Sequence, residues 1–378
     1  MTRLRVGIVA GGRSAEHEVS VASAESVLRA IDRGRYEPYL IYIDREGRWR
    51  LPDGPAKELG RGTLARLLGA ETPGERTQRL LLAPVDQPEL VASSDAGLQA
   101  RTALRSLAET IDVAFLVVHG PFGEDGTLQG FLELAGIPYT GAGVLASAVA
   151  MDKVVFKDLM RGHALPVLDY TSFRRSAWRA EPEHVLREVA ARIGDASVVK
   201  PARLGSSVGM SVVHAAGELP AALDEAFHWD SKAIVEAYLP RARELECGVL
   251  GNDEPIVFEP GEVISSHEFY DYESKYVPGL AEVIPRAAVE PDVAARLKEL
   301  ALAAYRAVDA AGMARVDFLA AGGDLYLSEM NTLPGFTATS MYPKQAELAG
   351  IDFSHLINRL VELALDADRR EPTGEDPS

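Results

Sequence analysis

Residues 314–340 read ARVDFLAAGGDLYLSEMNTLPGFTATS. Two β-rich runs, ARVDFLA and DLYLSEMN, flank AGG, the pattern of paired strands around a glycine turn. Glu329 and Asn331 are two apart on one strand and share a face. Asp317 lies on the other strand, and a connection centred on Gly323 sets it directly opposite Glu329. A bend led by Pro334-Gly335 follows. Oxygen ligands without Cys or His suit a hard cation such as Mg²⁺, completed by water and nucleotide phosphate. Two such ions can clamp a transferring phosphoryl group. The competing reading is an exposed polar strand face. Acid and amide groups converging beside Arg315 would then be costly without a cation.

Working upstream, SVVKPARLGSSVGMSVV (197–213) ends one β-run at Lys200 and begins another after a small-residue loop. A strand–loop–strand flap of this kind can fold backbone N–H groups over a triphosphate, with Lys supplying charge. A plain Gly-Ser hairpin is the competing reading. MDKVVFK (151–157) puts Lys153 and Lys157 at i and i+4, on one helical face that could equally be a solvated basic face. Only eight of the 39 basic residues are lysine, and four of these (Lys153, Lys157, Lys200, Lys275) fall in such motifs. Where Arg is preferred, a retained Lys points to a need for a compact charge. HEFYDYESKYVPG (267–279) mixes aromatic and charged residues like a lid loop that excludes water.

The N-terminal part has a β-α-β rhythm that argues for an open parallel sheet. LRVGIVA (4–10) reads as a buried strand ended by Gly11-Gly12, with Ser14 capping a helix over about 15–30. Further strands are expected at 39–47 and 111–120, and a helix at 126–135 capped by Glu124 or Asp125. GIPYTGAG (136–143) reads as a crossover to one helix over 144–161. β-segments near 167–173 and 197–200 flank a helix at 181–193, and helices at 290–311 and 351–366 complete the pattern. Residues 51–108 read as loops and short helices. GIVAGGRSAEHEVS (7–20) brings Glu16 to the sheet edge where α/β proteins bind ligands. Glu16 is there either as a dipole-compensating acid or as a partner for a substrate ammonium. HGPFGEDGTLQG (119–130) is a ligand-approaching glycine loop in which His119 is a contact or a satisfied internal residue.

Composition narrows the function. The net charge of −17 argues against general nucleic-acid or anionic-membrane binding. A single cysteine, Cys247, excludes an internal disulfide and any Cys-cluster metal site. No run approaches the roughly 18 apolar residues of a membrane span. MTRLRVGIVA lacks a long apolar h-region, so a cytoplasmic protein without a cleaved signal peptide is expected. The absence of G-x-G-x-x-G counts against the alternative of a nucleotide-dependent dehydrogenase.

Taken together, GGRSAEHEVS, HGPFGEDGTLQG, YTGAG, MDK, VKPARLGSSVGMS, FYDYESKY, RVDF and EMNTLPGFT resemble the D-alanine–D-alanine ligase family of the ATP-grasp superfamily, in family order. The resemblance implies an α/β, three-domain ATP-grasp fold: an N-terminal open-sheet domain (1–138), a central subdomain (139–232) and a C-terminal subdomain (233–378). The last would hold a lid at about 265–282 and the metal site. It further implies that Glu16 binds the first D-alanine's ammonium and forms a triad with Ser206 and Tyr276. Lys153, Lys200 and Lys275 would contact ATP phosphates, while Glu236 and Glu244 would take adenine and ribose. Asp317, Glu329 and Asn331 would hold two Mg²⁺, with Mn²⁺ an alternative. Arg315 and the Gly335 backbone would stabilise the oxyanion. His119, Ser340 and Met341 match substrate-binding positions. The family often has a lysine after the adenine-region Glu; here Ala237 stands there. Partners would be ATP and two D-alanines, with no nucleic acid or membrane insertion, and a homodimer is a family expectation. Two other readings are a D-alanine–D-lactate ligase and a catalytically dead ATP-grasp module. The second predicts losses among Arg315, Asp317, Glu329 and Asn331, and all are present.

Overall fold

The computed structural model describes residues 2–52, 54–56, 78–80, 107–265 and 281–367. Lys275, Tyr276, the core of the expected lid and most of 51–108 lie outside the described residues.

Strand β1 (Leu4–Gly11) lies inside the first sheet, between β2 (Tyr36–Ile43) and, further along the chain, the edge strand β5 (Val113–Leu116), both parallel to it. β3 (Trp49–Leu51) and β4 (Gln78–Leu80) add antiparallel strands outside β2. From Val6 onward β1 is buried, as an unbroken apolar run in a parallel sheet requires. The chain leaves β1 through Gly11, where a Cβ would fall 2.1 Å from the Ile43 carbonyl oxygen at a φ of +94°. Helix α1 (His17–Ala30) then buries Val21, Ala24, Val27 and Leu28. The expected start at Ala15 with a Ser14 cap is corrected. The Ser14 hydroxyl donates to the His119 carbonyl (2.7 Å) and accepts from the Glu16 N–H (3.2 Å). Glu16 takes the N-cap position without a side-chain cap bond, and its carboxylate is engaged by Ser206 instead. At α2 (Thr127–Leu134), Asp125 accepts from the Thr127 N–H at 3.0 Å, whereas Glu124 turns inward.

The single helix expected over 144–161 is two helices, α3 (Val144–Met151) and α4 (Lys153–Gly162). Asp152 adopts extended backbone between them (ψ 99°), and its carboxylate accepts from the Val154 and Val155 N–H groups. An Asp N-cap restarts the helix and aims α4 in a new direction. Next come β6 (Tyr170–Arg174), α5 (Arg175–Ala180), α6 (Pro182–Arg192), β7 (Ser197–Pro201), β8 (Ser211–Val213), α7 (Leu219–Trp229) and β9 (Lys232–Ala237). Their strands form an antiparallel sheet in the order β6-β9-β7-β8. Val185, Val189, Val199, Leu223 and Phe227 make a core on this sheet.

The third sheet contains β10 (Arg243–Leu250), β11 (Ile256–Val257), β12 (Gly261–Ser265) and β13 (Ala281–Ile284). After helix α8 (Pro291–Ala307), β14 (Met313–Ala321) and β15 (Asp324–Asn331) complete it. β10 is central, between β12 and β14, and pairs β11 at one end. α8 packs Leu297, Leu300 and Ala304 against Leu245, Cys247 and Val316. The final helices, α9 (Met341–Leu348) and α10 (Phe353–Asp366), return to the first sheet, so that Phe336, Tyr342, Leu356 and Leu360 share a core with Val9 and Phe115. The Phe115 and Phe336 rings meet edge-on at 5.4 Å. Shared burial therefore fixes the segment after β15 against the strand ends of the first sheet.

The β14–β15 hairpin pairs Asp317 with Glu329 as expected, but not through a turn centred on Gly323. The turn is Gly322-Gly323, both at positive φ (63° and 96°), and it pairs Ala321 with Asp324. That register alone would set Asp317 opposite Ser328. The register shifts by one residue between Asp317 and Phe318, which restores Glu329 to the facing position.

Candidate active site between the sheets

On this hairpin, Asp317 faces Glu329 and Arg315 faces Asn331. The Arg315 guanidinium donates to both Asp317 oxygens at 2.7 Å, and its Nε lies 3.1 Å from Glu246 Oε2. Asn331 donates its amide to Asp317 at 2.8 Å, and Lys153 Nζ lies 3.0 Å from Glu329 Oε2. Burial by itself would lower the Arg315 pKa, but Asp317 and Glu246 outweigh it and raise it well above the ordinary value. The guanidinium is thus a permanent charge held by two carboxylates. Among the described residues, no three His, Cys, Asp or Glu side chains gather as a metal cluster. The donor set is two carboxylates and the Asn331 amide, all oxygen, and that chemistry fits a hard divalent cation.

A second group lies beside it. Lys153 and Lys157 on α4 are not a solvated face: both are buried, Lys157 at 1% exposure. Lys157 Nζ is 2.6 Å from Glu236 Oε1 and donates to the Leu327 carbonyl at 3.2 Å. Lys200 Nζ is 2.7 Å from Glu236 Oε2. Burial would raise the Glu236 carboxyl, but the two lysines bring it down to about 2. Lys200 is raised because Glu236 and Glu329 overcome its burial, whereas burial prevails at Lys157 and lowers it. A single carboxylate between two ammonium groups holds one of them at a disadvantage. Lys153, Lys200, Glu236, Ala237, Glu244 and Glu329 line one cleft between the second and third sheets.

At the edge of the first sheet, the Ser206 hydroxyl donates to Glu16 Oε1 at 2.6 Å, across 190 residues of sequence. Ser206 and Ser207 both hold positive φ (51° and 56°), a costly backbone for non-glycine residues that turns Ser206 inward. The Glu16 carboxylate lies over Gly120 and Gly205; a Cβ on either would approach Glu16 Oε2 to 2.7 or 3.1 Å. His119 is buried, and burial lowers its pKa. Its Nδ1 lies 2.8 Å from the Leu333 carbonyl, and its Nε2 lies 3.2 Å from the Ser23 hydroxyl. A carbonyl partner requires the proton on Nδ1. Both ring nitrogens are thus partnered within the protein, as in the satisfied-residue alternative for His119. Ser340 is the N-cap residue of α9, and its hydroxyl accepts from the Thr337 N–H at 3.2 Å. Gly335 lies beside it: a Cβ there would sit 3.3 Å from Ser340 Oγ. The Met341 side chain is buried, so a polar ligand could meet that residue only through its backbone.

Sequence reasoning left three residues out. Lys157 was visible as the i+4 partner of Lys153, Glu124 was read only as a cap, and Glu246 carried no motif.

A family profile described as D-ala D-ala ligase N-terminus matches residues 5–142, and one described as D-ala D-ala ligase C-terminus matches residues 159–362. The chain belongs to the D-ala D-ala ligase family. Within this family, it is 44% identical over 365 residues to the D-alanine–D-alanine ligase of Deinococcus radiodurans, covering 96% of this chain and 98% of that one. To the corresponding ligase of Heliobacterium modesticaldum it is 42% identical, covering 97% and 95%. Among solved structures, the D-alanine-D-alanine ligase of Coxiella burnetii superposes with a TM-score of 0.74 at 31% identity, covering 96% of each chain. The VanG D-Ala:D-Ser ligase of Enterococcus faecalis gives 0.78 at 29% identity, covering 96% of this chain and all of that one (100%). This D-ala D-ala ligase family member has an α/β, multi-domain ATP-grasp fold. Among the described residues, no helix is long and apolar enough to cross a membrane.

Proposed function

We propose that this protein ligates two D-alanines to D-alanyl-D-alanine, a peptidoglycan precursor, converting ATP to ADP and phosphate through an acyl phosphate. The observation that carries the reading is convergence. An amine-binding pair (Glu16–Ser206), phosphate-binding lysines (Lys153, Lys200) and an oxygen-rich hairpin (Asp317, Glu329, Asn331) meet at one cleft, which Lys153, Lys200, Ser206 and Glu329 line, in a chain 40–44% identical to curated D-alanine–D-alanine ligases. In this reading the domains are 1–138, 139–232 and 233–378.

The chemistry needs an electrophile made from a carboxylate. Glu16, held by Ser206 and joined by Tyr276, takes the ammonium of the first D-alanine and leaves its carboxylate toward the hairpin. Glu236 and Glu244 take the adenine and ribose; Lys153, Lys200 and Lys275 hold the phosphates in line. Bound at Asp317, Glu329 and Asn331, Mg²⁺ (or Mn²⁺) would neutralise charge on the phosphates. Positioning and electrostatics do most of the work of phosphoryl transfer. Ser340 and the Met341 backbone receive the second substrate's carboxylate, and its amine attacks the acyl carbon. Arg315 and the Gly335 N–H meet the resulting oxyanion, and phosphate leaves. The route through an acyl phosphate requires no covalent enzyme intermediate.

Tyr276 favours the amide over an ester. A cationic side chain at that point in the lid would repel an alanine ammonium and tolerate lactate, which has none; a neutral phenol does not discriminate in that way. Offered D-alanine and D-lactate together near neutral pH, the enzyme should yield D-alanyl-D-alanine with little D-alanyl-D-lactate by mass spectrometry. Predominant ester would refute the assignment of the second substrate. The proposal places the enzyme in the cytoplasm, where ATP is, as a homodimer.

A further inference from the structure

Glu124 has no part in the chemistry above, yet it is held, half-buried, between two loops that the reaction needs. It comes from the glycine loop after β5. One carboxyl oxygen accepts from the Gly120 N–H at 2.6 Å, within its own loop. The other accepts from the Leu333 N–H at 3.0 Å, 209 residues away, in the segment after β15. The carbonyl of that same Leu333 accepts from His119 Nδ1 at 2.8 Å. Two side chains of one loop thus grip both backbone polar groups of a single residue. Leu333 lies two residues after Asn331 and two before Gly335.

The grip has a second end. Gly120, whose N–H is held by Glu124, lies beneath the Glu16 carboxylate at a φ of +73°. A continuous path therefore runs from Glu16 through Gly120 and Glu124 to Leu333 and the hairpin. Each joint is a backbone hydrogen bond or a close approach that tolerates no side chain.

We propose that Glu124 is a positioning residue that sets the distance between the first-substrate site at Glu16 and the Asn331–Gly335 segment. This rests on the ligase reading above. Its consequence is specific. Loosening the joint should harm alignment of the D-alanine carboxylate with the transferred phosphoryl group, because small misplacements of reacting groups are costly. It should disturb nucleotide binding far less, since Glu124 does not line the cleft of Lys200, Glu236 and Glu244 and shares only a smaller pocket with its Lys153–Glu329 end.

The test is steady-state kinetics on the full-length enzyme with ATP, Mg²⁺ and D-alanine, comparing Glu124→Gln and Glu124→Asp with the unaltered protein. The amide of Gln accepts with one atom only and so loses one of the two backbone bonds. Asp keeps the carboxyl group but is too short to span both. Glu124→Gln should fold, since burial and the Glu16 charge push the Glu124 carboxyl up to about 8 and a neutral group suits that site. For both variants, kcat/KM for D-alanine should fall about 3- to 10-fold, the scale of one lost net hydrogen bond. KM for ATP should stay within about twofold, as expected for a nucleotide cleft that keeps its contacts. Gln129→Ala serves as a control for general loosening: Gln129 donates to the Gly123 carbonyl at 2.8 Å inside the same loop but does not reach Leu333. The proposal is overturned if either Glu124 variant keeps its D-alanine kinetics. It is equally overturned if KM for ATP rises in parallel, or if Gln129→Ala at equal thermal destabilisation loses as much. Failure of the unaltered enzyme to form dipeptide would instead overturn the ligase reading.

Discussion

Replacing Glu236 by glutamine should destabilise the ligand-free protein far more than removing either lysine that it holds. In the structure one carboxylate at 3% exposure separates Lys157 Nζ (2.6 Å) from Lys200 Nζ (2.7 Å). Glu236→Gln leaves two buried ammonium groups without a counter-charge. Breaking a buried ion pair by deleting one partner costs about 3–5 kcal/mol. Linkage gives a similar figure: a carboxyl brought from 4.5 to about 2 on folding carries about 3 kcal/mol of stability at neutral pH. At about 2–4 °C per kcal/mol, the melting temperature should fall by roughly 6–20 °C. Lys157→Met should behave differently. It removes a cation that burial already disfavours and leaves Glu236 and Lys200 as a one-to-one pair, so the loss should stay below about 1.5 kcal/mol. The double variant should recover much of the loss seen in Glu236→Gln. Calorimetry over a pH series adds a second check. Because the folded carboxyl is depressed, its contribution is complete above about 4.5 and disappears as pH falls toward 2, and Glu236→Gln should lack that component. Unfolding of Glu236→Gln within about 2 °C of the unaltered protein, or a larger loss in Lys157→Met, would refute this account of the site.

Glu329→Ala should lower D-alanine-dependent phosphate release at least about 100-fold, the scale of lost transition-state electrostatics; near-normal turnover would remove Glu329 from the metal site. Tyr276→Phe should cost only about 0.5–1.5 kcal/mol in kcat/KM for D-alanine, because one hydrogen bond is lost while the ring is kept; a far larger loss would give the hydroxyl a chemical role. Asp152→Ala removes the cap of α4 and the 2.6 Å partner of buried Lys232 Nζ. It should cost about 2–4 kcal/mol in denaturant unfolding, and a loss below about 0.5 kcal/mol would contradict the helix break.

The sequence revealed the site more fully than it revealed the backbone that builds it. The pairing of Asp317 with Glu329 was legible from residue types and spacing, but for an incomplete reason. A two-glycine turn and a one-residue register shift together give the result that a turn centred on Gly323 would have given alone. Apolar periodicity carried straight through Asp152, because an N-cap inside a helical pattern interrupts direction without interrupting hydrophobicity. The i,i+4 spacing of Lys153 and Lys157 was visible, but spacing does not distinguish a buried face from a solvated one. That distinction depends on Glu236 and Leu327, which are distant in sequence. Glu124 was read as a cap because sequence shows its neighbours in the chain, whereas the partner that matters, Leu333, arrives only through the shared core of the first sheet and the C-terminal helices.

The central claim is that a D-alanine carboxylate is phosphorylated and then captured by a second D-alanine. Incubation with ATP, Mg²⁺ and D-alanine labelled with ¹⁸O in its carboxylate tests both steps at once. Mass spectrometry should find D-alanyl-D-alanine and phosphate in equal amounts, with one carboxylate ¹⁸O transferred to each phosphate. Phosphate released without label, or ATP consumed without dipeptide, would contradict the account.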